Sequence, residues 1–475
     1  MTVTDTHSDP PSGLRGELNR RQMNMIAVGG VIGAGLFVGS GSAIGQAGPA
    51  IVVVYSAVGI LVVLIMQMLA ELAVASPESG SFSSYARREI GPWAGLSTGW
   101  LYAYTWIVII GFEATAGAGL LHGLAPSIPA WLAALVFMTI LTATNLASVK
   151  SFGELEFWFA AIKVTVIIGF LLIGAAAILG LVPNVPAPGM SNLTGHGGFA
   201  PFGWTQVALA SLVVIFSYFG TEVVTIAAGE ARDPRRAVRA ALRTVVIRIF
   251  IFYVGSIAII VTLLPSTSTS VTESPFVATL NHLGIGGAAT IMNIVVITAV
   301  LSCLNSGIYS CSRIIYATAQ RGEGPRALGK VNHRGVPVAG VYLASVGGFI
   351  TVIANYFLPT ATLFNFLLNS TGAMALVIYF VIAFSQLRGR KRAIVEGREL
   401  PVKMWAYPYL TWFVIGILLF ISTALAINGP TRKSFLLTAV VTAIAVTAGL
   451  IYQRRMESSP NASTLDQKDI SATGN

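Results

Sequence analysis

Apolar residues in this chain come in runs of about 20 or more, separated by short polar connections, and this pattern repeats from one end to the other. Twelve runs are present, near 22–45, 50–75, 93–121, 130–148, 155–181, 204–229, 242–264, 286–317, 338–358, 361–387, 405–427 and 434–453. In hydrocarbon every backbone polar group needs an internal partner, so such runs predict helices and an all-α integral membrane fold with twelve spans. Three are long enough to tilt strongly or to contain a break. The stretch Thr272–Leu283 is only partly apolar and too short to span; it predicts a short surface or re-entrant helix. The ends are polar, and 1–21 and 456–475 read as disordered tails flanking a membrane domain over 22–455.

Lys and Arg orient the runs. They cluster before run 1 (Arg15, Arg20, Arg21), between 2 and 3 (Arg87, Arg88), between 4 and 5 (Lys150), between 6 and 7 (Arg232 to Arg243), between 8 and 9 (Arg321 to Arg334), between 10 and 11 (Arg388 to Lys403) and after 12 (Arg454, Arg455). The alternate connections hold neither residue, except that Arg432 and Lys433 lie between 11 and 12. Positive residues stay on the cytoplasmic side, so both termini are expected inside. A missed span would scramble this alternation, so it also supports the count. The formal net charge of +10 is therefore a topology signal, and no nucleic-acid partner is expected.

Composition agrees. The hydrophobic share is 55% and the charged share 10%, too little charge for a water-facing surface, which makes a lipid bilayer the expected solvent. No secretory leader is visible, so the first run is expected to serve as its own insertion signal. The two cysteines, Cys303 and Cys311, share one apolar run and suggest neither a disulfide framework nor a metal site. No cofactor is expected.

Run 1 reads Gly29-Gly30-Val31-Ile32-Gly33-Ala34-Gly35-Leu36-Phe37-Val38-Gly39-Ser40-Gly41. Glycine at this density weakens a helix by about 1 kcal/mol per residue relative to alanine, and predicts a break at mid-membrane. Amides freed at Ile32, Gly33, Ala34 and Gly35 suit a substrate carboxylate, while close helix packing through the same glycines is the plainer reading. No Gly-Lys-Ser/Thr follows, which excludes a phosphate-binding loop. Run 6 is interrupted at the corresponding place, at Phe216, Ser217, Tyr218, Phe219, Gly220, Thr221 and Glu222. Paired interruptions in two five-helix halves point to a binding site at the midplane, with carbonyls of the second break facing a substrate ammonium.

Four ionisable residues lie well inside the runs: Glu71, Glu113, Lys163 and Glu222. Each costs at least about 2.5 kcal/mol at the bilayer centre unless it is paired or hydrated. Glu71, near a cytoplasmic end, reads first as an interface carboxylate. Lys163 suits proton coupling, since burial disfavours an ammonium; a permanent salt bridge is the alternative. Glu222 and Glu113 are the carboxylates expected to share that work. Run 8 carries Ser302, Asn305, Ser306, Tyr309 and Arg313 on one helical face, which suggests a polar path, with Cys303 beside it. Asn365, Asn369, Ser370 and Thr371 of run 10 suggest a weaker version of the same.

Several stretches resemble the bacterial amino-acid transporter branch of the amino acid–polyamine–organocation superfamily. They are Gly-Val-Ile-Gly-Ala-Gly-Leu-Phe-Val-Gly-Ser at 30–40, Ala-Gly-Pro-Ala at 47–50, Ser-Gly-Ser-Phe-Ser-Ser-Tyr-Ala at 79–86 and Ser-Val-Lys-Ser-Phe-Gly-Glu-Leu-Glu-Phe-Trp-Phe-Ala at 148–160. Pro-Phe-Gly at 201–203, Thr-Ile-Ala-Ala-Gly-Glu at 225–230 and Arg-Gly-Val-Pro at 334–337 add to them. The resemblance covers about 14–455 and is nearest to the 4-aminobutyrate (GABA) permeases, through Val-Ile-Gly-Ala at 31–34, Ser-Cys-Leu-Asn-Ser at 302–306, Ser-Thr-Gly-Ala at 370–373, Val-Ile-Ala-Phe-Ser-Gln-Leu-Arg at 381–388 and the 404–412 stretch. It implies a leucine-transporter-type fold: a five-plus-five inverted repeat, over about 22–181 and 204–387, with two extra helices at about 405–453. It implies proton-driven uptake in the inner membrane, with Lys163 where sodium-coupled relatives hold an ion and Glu222 as the acidic residue of the second break. Phe219 departs from the branch, where many members have glycine, and narrows the site or shapes it for an unbranched substrate.

The expected function is proton-coupled uptake of a small zwitterionic amino acid, GABA first, with glycine, alanine, D-serine, proline or asparagine as rivals. The expected substrate site is Ile32, Gly33, Ala34, Gly35, Phe216, Tyr218, Phe219, Gly220, Glu222, Ser302, Asn305 and Ser306, and the expected coupling residues are Lys163, Glu222 and Glu113. A passive channel fits paired breaks and a buried lysine poorly. An intramembrane enzyme lacks His-Glu-x-x-His and Gly-x-Ser-x-Gly motifs.

Overall fold

A computed structural model of the chain describes residues 32–458 apart from 77, 79, 184, 230–233 and 286, together with 21, 22 and 25. The tails expected to be disordered, the amino-terminal glycines Gly29 and Gly30 of run 1, and the side chains of Asn365, Asn369 and Ser370 lie outside the described residues.

All described regular structure is helical. The membrane helices are α1 (Ala34–Phe37 and Gly39–Ala47), α2 (Ile51–Ala75), α3 (Pro92–Leu124), α4 (Ala130–Ala147), α5 (Val149–Ile178), α6 (Trp204–Leu209, Ser211–Tyr218 and Val223–Gly229), α7 (Pro234–Ile247 continuing to Leu263), α8 (Ala288–Gln320), α9 (Val338–Phe357), α10 (Thr360–Val395), α11 (Tyr409–Ile427) and α12 (Gly429–Glu457). Among the described residues, eleven stretches are long and apolar enough to cross a membrane, and the first, Ala34–Ala75, contains both α1 and α2. The protein is a multi-pass membrane protein of twelve helices.

Burial separates core from periphery. The α6 window is 83% buried and the α12 window 11%, so α6 runs through the middle and α12 faces the surroundings. The long α3 packs against α8, α9, α10 and α12. Within α7, Arg248–Gly255 is wound as a π-helix, a widening common at functional sites.

Several boundaries differ from those expected. Helix α5 starts at Val149, because the Ser148 hydroxyl caps it by accepting from the Ser151 amide at 3.0 Å. That extension draws Glu156 inside the bundle. The 272–283 stretch forms two short helices, Thr269–Glu273 and Pro275–His282, and the second is buried rather than superficial. Its Phe276 ring packs 4.8 Å from both Phe37 of α1 and Phe170 of α5. Glu71 is buried and structurally engaged: it accepts from Arg390 Nη1 at 3.0 Å, Gln386 Nε2 at 3.1 Å and the Met404 amide at 2.5 Å, tying α2 to α10 and to the approach to α11.

Candidate functional site

The first break falls where glycine density predicts it. Ile32 and Gly33 are non-helical, and α1 begins at Ala34. A helix start leaves amides without intrahelical partners. Here the Ala34 amide donates to both carboxylate oxygens of Glu113 on α3, at 3.3 and 3.1 Å. A protein carboxylate therefore occupies the amide expected to meet a substrate carboxylate.

The second break mirrors the first. Helix α6 stops at Tyr218, and Phe219 turns extended (φ −60°, ψ 145°). Gly220 follows at φ +93°, a conformation that side chains disfavour. Its amide donates to both oxygens of Glu222 at 3.1 Å, and Tyr102 Oη of α3 donates to the same carboxylate at 3.2 Å. Three carbonyls at this break have local partners: those of Ile215 and Phe216 accept from the Phe219 amide, and that of Tyr218 from the Thr221 hydroxyl. Arg248 of the π-helical stretch reaches the same break: its Nη2 donates to Thr221 Oγ1 at 2.7 Å.

The breaks face each other. Ser217 Oγ donates to the Gly35 carbonyl at 2.8 Å, and the place where a Gly35 Cβ would sit is 3.0 Å from Ser217 Cα. Between them lies a small enclosed cavity lined by Gly35, Trp106, Ile109, Glu113, Phe216, Ser217, Phe219 and Cys303. Its volume is about 10 Å³, the room of one water molecule, so this conformation is closed around the site. Phe216, Phe219 and Trp106 are the large side chains of its wall. Phe219 is held among Tyr102, Trp106 and Tyr379, with ring centroids 5.7, 6.1 and 6.3 Å away.

Lys163 sits beside the first break, fully buried. Its Nζ donates to the Ile32 carbonyl at 3.1 Å and to Ser302 Oγ at 2.7 Å. The Ser302 hydroxyl in turn donates to Glu156 Oε1 at 2.5 Å. Asn305 Nδ2 reaches Glu156 Oε2 at 3.4 Å, and Asn145 Nδ2 donates to Asn305 Oδ1 at 2.8 Å.

Of the residues singled out in the sequence, the cavity gathers Gly35, Phe216, Ser217 and Phe219, with Glu113 and Cys303. Ile32, Gly33 and Ala34 form the adjoining break. Tyr218, Gly220 and Glu222 lie outside the lining; Tyr218 Oη donates to the Tyr55 carbonyl at 3.0 Å. Ser302 and Asn305 belong to the Lys163 network, Ser306 is buried on the same helix, and none of the three lines the cavity. Farther along that stripe Tyr309 stacks on Phe152 at 4.0 Å and Arg313 lies over Tyr309 at 3.9 Å, so its far end is an interface with α5.

Sequence reasoning missed Glu156, Asn145, Arg248, Tyr102 and Trp106. Arg248 lies plainly inside run 7, and Glu156 lies seven residues before Lys163, on the same helical face. Both signals were available; with the run begun at 155 rather than at 149, Glu156 stood at its very end and not well inside it. The aromatic residues carry no sequence signal that separates lining from core.

Residues 22–457 match the amino acid permease family. The chain belongs to that family. It is 50% identical to the gamma-aminobutyric acid permease of Bacillus subtilis over 463 residues, 97% of this chain and 98% of that one. The gamma-aminobutyric acid permease of Escherichia coli is 46% identical over 415 residues, 87% and 89% of the two chains. Among solved structures, a manganese transporter of Eremococcus coleocola superposes with a TM-score of 0.58 at 14% identity, covering 91% of this chain and 92% of that one. That likeness concerns the fold alone, and it agrees with the leucine-transporter-type arrangement of two inverted five-helix repeats with broken helices 1 and 6.

For an amino acid permease the exposure of Cys303 to the cavity offers a direct test. It is a buried free thiol lining the space between the breaks. A small hydrophilic thiol reagent is expected to inhibit uptake, saturating substrate to slow that inhibition, and Cys303→Ala to transport without sensitivity. Uptake rates after timed reagent exposure check this; inhibition that persists in Cys303→Ala assigns it elsewhere.

Proposed function

We propose that this permease takes up a small zwitterionic amino acid, GABA first, together with protons across the cytoplasmic membrane, with both termini inside. The single observation carrying this reading is the Lys163 ammonium hooked to the Ile32 carbonyl at the α1 break, next to a cavity bounded by both breaks. A titratable cation that holds the substrate helix links protonation to the state of the site. The choice of GABA rests on the likeness to two gamma-aminobutyric acid permeases at 50% and 46% identity.

In this reading the substrate carboxylate displaces Glu113 from the Ala34 amide as the site opens, and the ammonium lies toward α6. Phe216 and Phe219 contact the methylenes between. The repeats extend over about 22–181 and 204–387, and α11 and α12 lie outside them.

Uptake of labelled GABA by proteoliposomes under an imposed pH gradient, with unlabelled amino acids as competitors, tests substrate and coupling together. Competition by another amino acid at much lower concentration than GABA reassigns the substrate; sodium-dependent, pH-independent accumulation reassigns the coupling ion.

Glu222 gives a further prediction. Replacing it by Gln weakens charge-assisted bonds worth roughly 1.5–3 kcal/mol at the second break. Uptake is expected to fall by about ten- to a hundredfold, with membrane insertion unchanged. Unaltered affinity and maximal rate would show that Glu222 is structural.

A further inference from the structure

We infer that Glu156 is the proton partner of Lys163, and that the two exchange a proton through the Ser302 hydroxyl. The inference rests on the proposed role of Lys163 in coupling and extends it to a residue that this role does not require. Glu156 is a fully buried carboxylate in a membrane helix, a placement too costly to persist without a partner. It lies two turns from Lys163 on the same face of α5, about 10 Å along the axis. The lysine stem spans part of that gap, and Ser302 of α8 fills the rest.

The geometry is that of a directed wire. Lys163 Nζ donates to Ser302 Oγ at 2.7 Å, so the serine hydrogen points elsewhere, and it points at Glu156 Oε1 at 2.5 Å. One transfer runs as follows. An N–H bond of Lys163 breaks and an O–H bond forms on Ser302; the original Ser302 O–H breaks and an O–H forms on Glu156. Serine is unchanged, and an ammonium–carboxylate pair becomes an amine and a carboxylic acid. Burial in a low-dielectric interior disfavours both charges, which draws the neutral arrangement toward the charged one. The lysine side of that balance is set by Ile32 of α1: a neutral amine is a weaker donor to its carbonyl, so the transfer loosens the α1 break.

Other charged and titratable groups near Lys163 are Glu113 of α3, Cys303 of α8 and Arg248 of α7. Glu113 is engaged at both oxygens by the Ala34 amide, Cys303 lines the cavity, and Arg248 is held at Thr221. Glu156 alone shares a hydroxyl with the lysine. Asn305 donates to its second oxygen and is itself held by Asn145; an amide holds a carboxylate without passing protons, so Asn305 positions it. Glu156 is nearer than Lys163 to the amino-terminal end of α5, which the proposed topology puts in the cytoplasm. The transfer therefore moves the proton inward.

The experiment uses full-length permease in proteoliposomes. Glu156→Gln keeps the shape and a hydrogen-bonding oxygen for Ser302 but cannot take the proton. Accumulation of labelled GABA driven by a pH gradient is expected to fall about tenfold or more, a usual size for a coupling effect, while GABA counterflow without a gradient stays close to wild type and loses its pH dependence. Ser302→Ala is expected to lose accumulation and Ser302→Thr, which keeps the hydroxyl, to retain it. Accumulation by Glu156→Gln at the wild-type level overturns the inference, as does a parallel loss of accumulation and counterflow, which marks Glu156 as structural. Should Glu156→Gln not reach the membrane, the Ser302 pair decides: equal accumulation by Ala and Thr variants overturns it. Lys163→Ala in the same assay separates the two proposals. If it loses accumulation while Glu156→Gln does not, Lys163 couples without Glu156; if it accumulates normally, the coupling reading itself fails.

Discussion

Lys163→Ala is expected to abolish accumulation of substrate against its gradient while substrate counterflow persists. The ammonium holds the Ile32 carbonyl at 3.1 Å and the Ser302 hydroxyl at 2.7 Å, and it does not line the cavity between the breaks. Removing it deletes the group whose protonation the break senses, but leaves intact the amide of Ala34 and the lining from Gly35 to Phe219. Coupling requires that proton binding and conformation share a free energy; without the lysine that term is gone, and transport can only equilibrate. The accumulation ratio under an imposed pH gradient should therefore collapse to about one, the limit for any carrier without differential proton binding. The measurement is uptake in proteoliposomes with and without sodium, for wild type and variant. Accumulation by Lys163→Ala equal to wild type would sink the assignment.

The second large effect is expected at Gly35. Glycine is required there by a close approach of two backbones: a Cβ at this position would meet Ser217 Cα at 3.0 Å and the Phe216 ring at 3.5 Å. Valine adds two methyls beyond that Cβ, toward a neighbour that is backbone and cannot swing aside. Overpacking of this kind costs about 1–3 kcal/mol in an ordinary core. Here the same strain falls on the contact between the two breaks and on the wall of the cavity, so it acts on every turnover. Gly35→Val is expected to lose transport entirely with normal amounts of protein in the membrane, and Gly35→Ala to keep part of it. Initial rates normalised to membrane protein check this. Near-normal uptake by the valine variant would refute a substrate site at the α1 break.

Much of this was legible from residue order. Runs of apolar residues long enough to cross hydrocarbon identified the helices, because the bilayer forces each to satisfy its own backbone. The break at Ile32–Gly33 was legible in its glycines, and the break after Tyr218 in a glycine flanked by polar residues. Lys163 stood out because an ammonium in an apolar run demands a reason.

What sequence alone determined, then, is the membrane fold, the place of the two breaks and the presence of a buried lysine, since these follow from local composition and the solvent. The tertiary structure decided partnership. It put Glu113 on the Ala34 amide and Glu222 on its own break, although both had looked available to substrate or lysine. It moved Ser302 and Asn305 from an expected path into a network with Lys163 and Glu156. It chose Cys303, Trp106 and Ile109 to line the cavity with Gly35 and Phe219. Such pairings join residues far apart in the sequence: Lys163 and Ser302 are separated by 139 positions. They depend on which helix faces which, and no periodicity within one helix records the rotation of its neighbour.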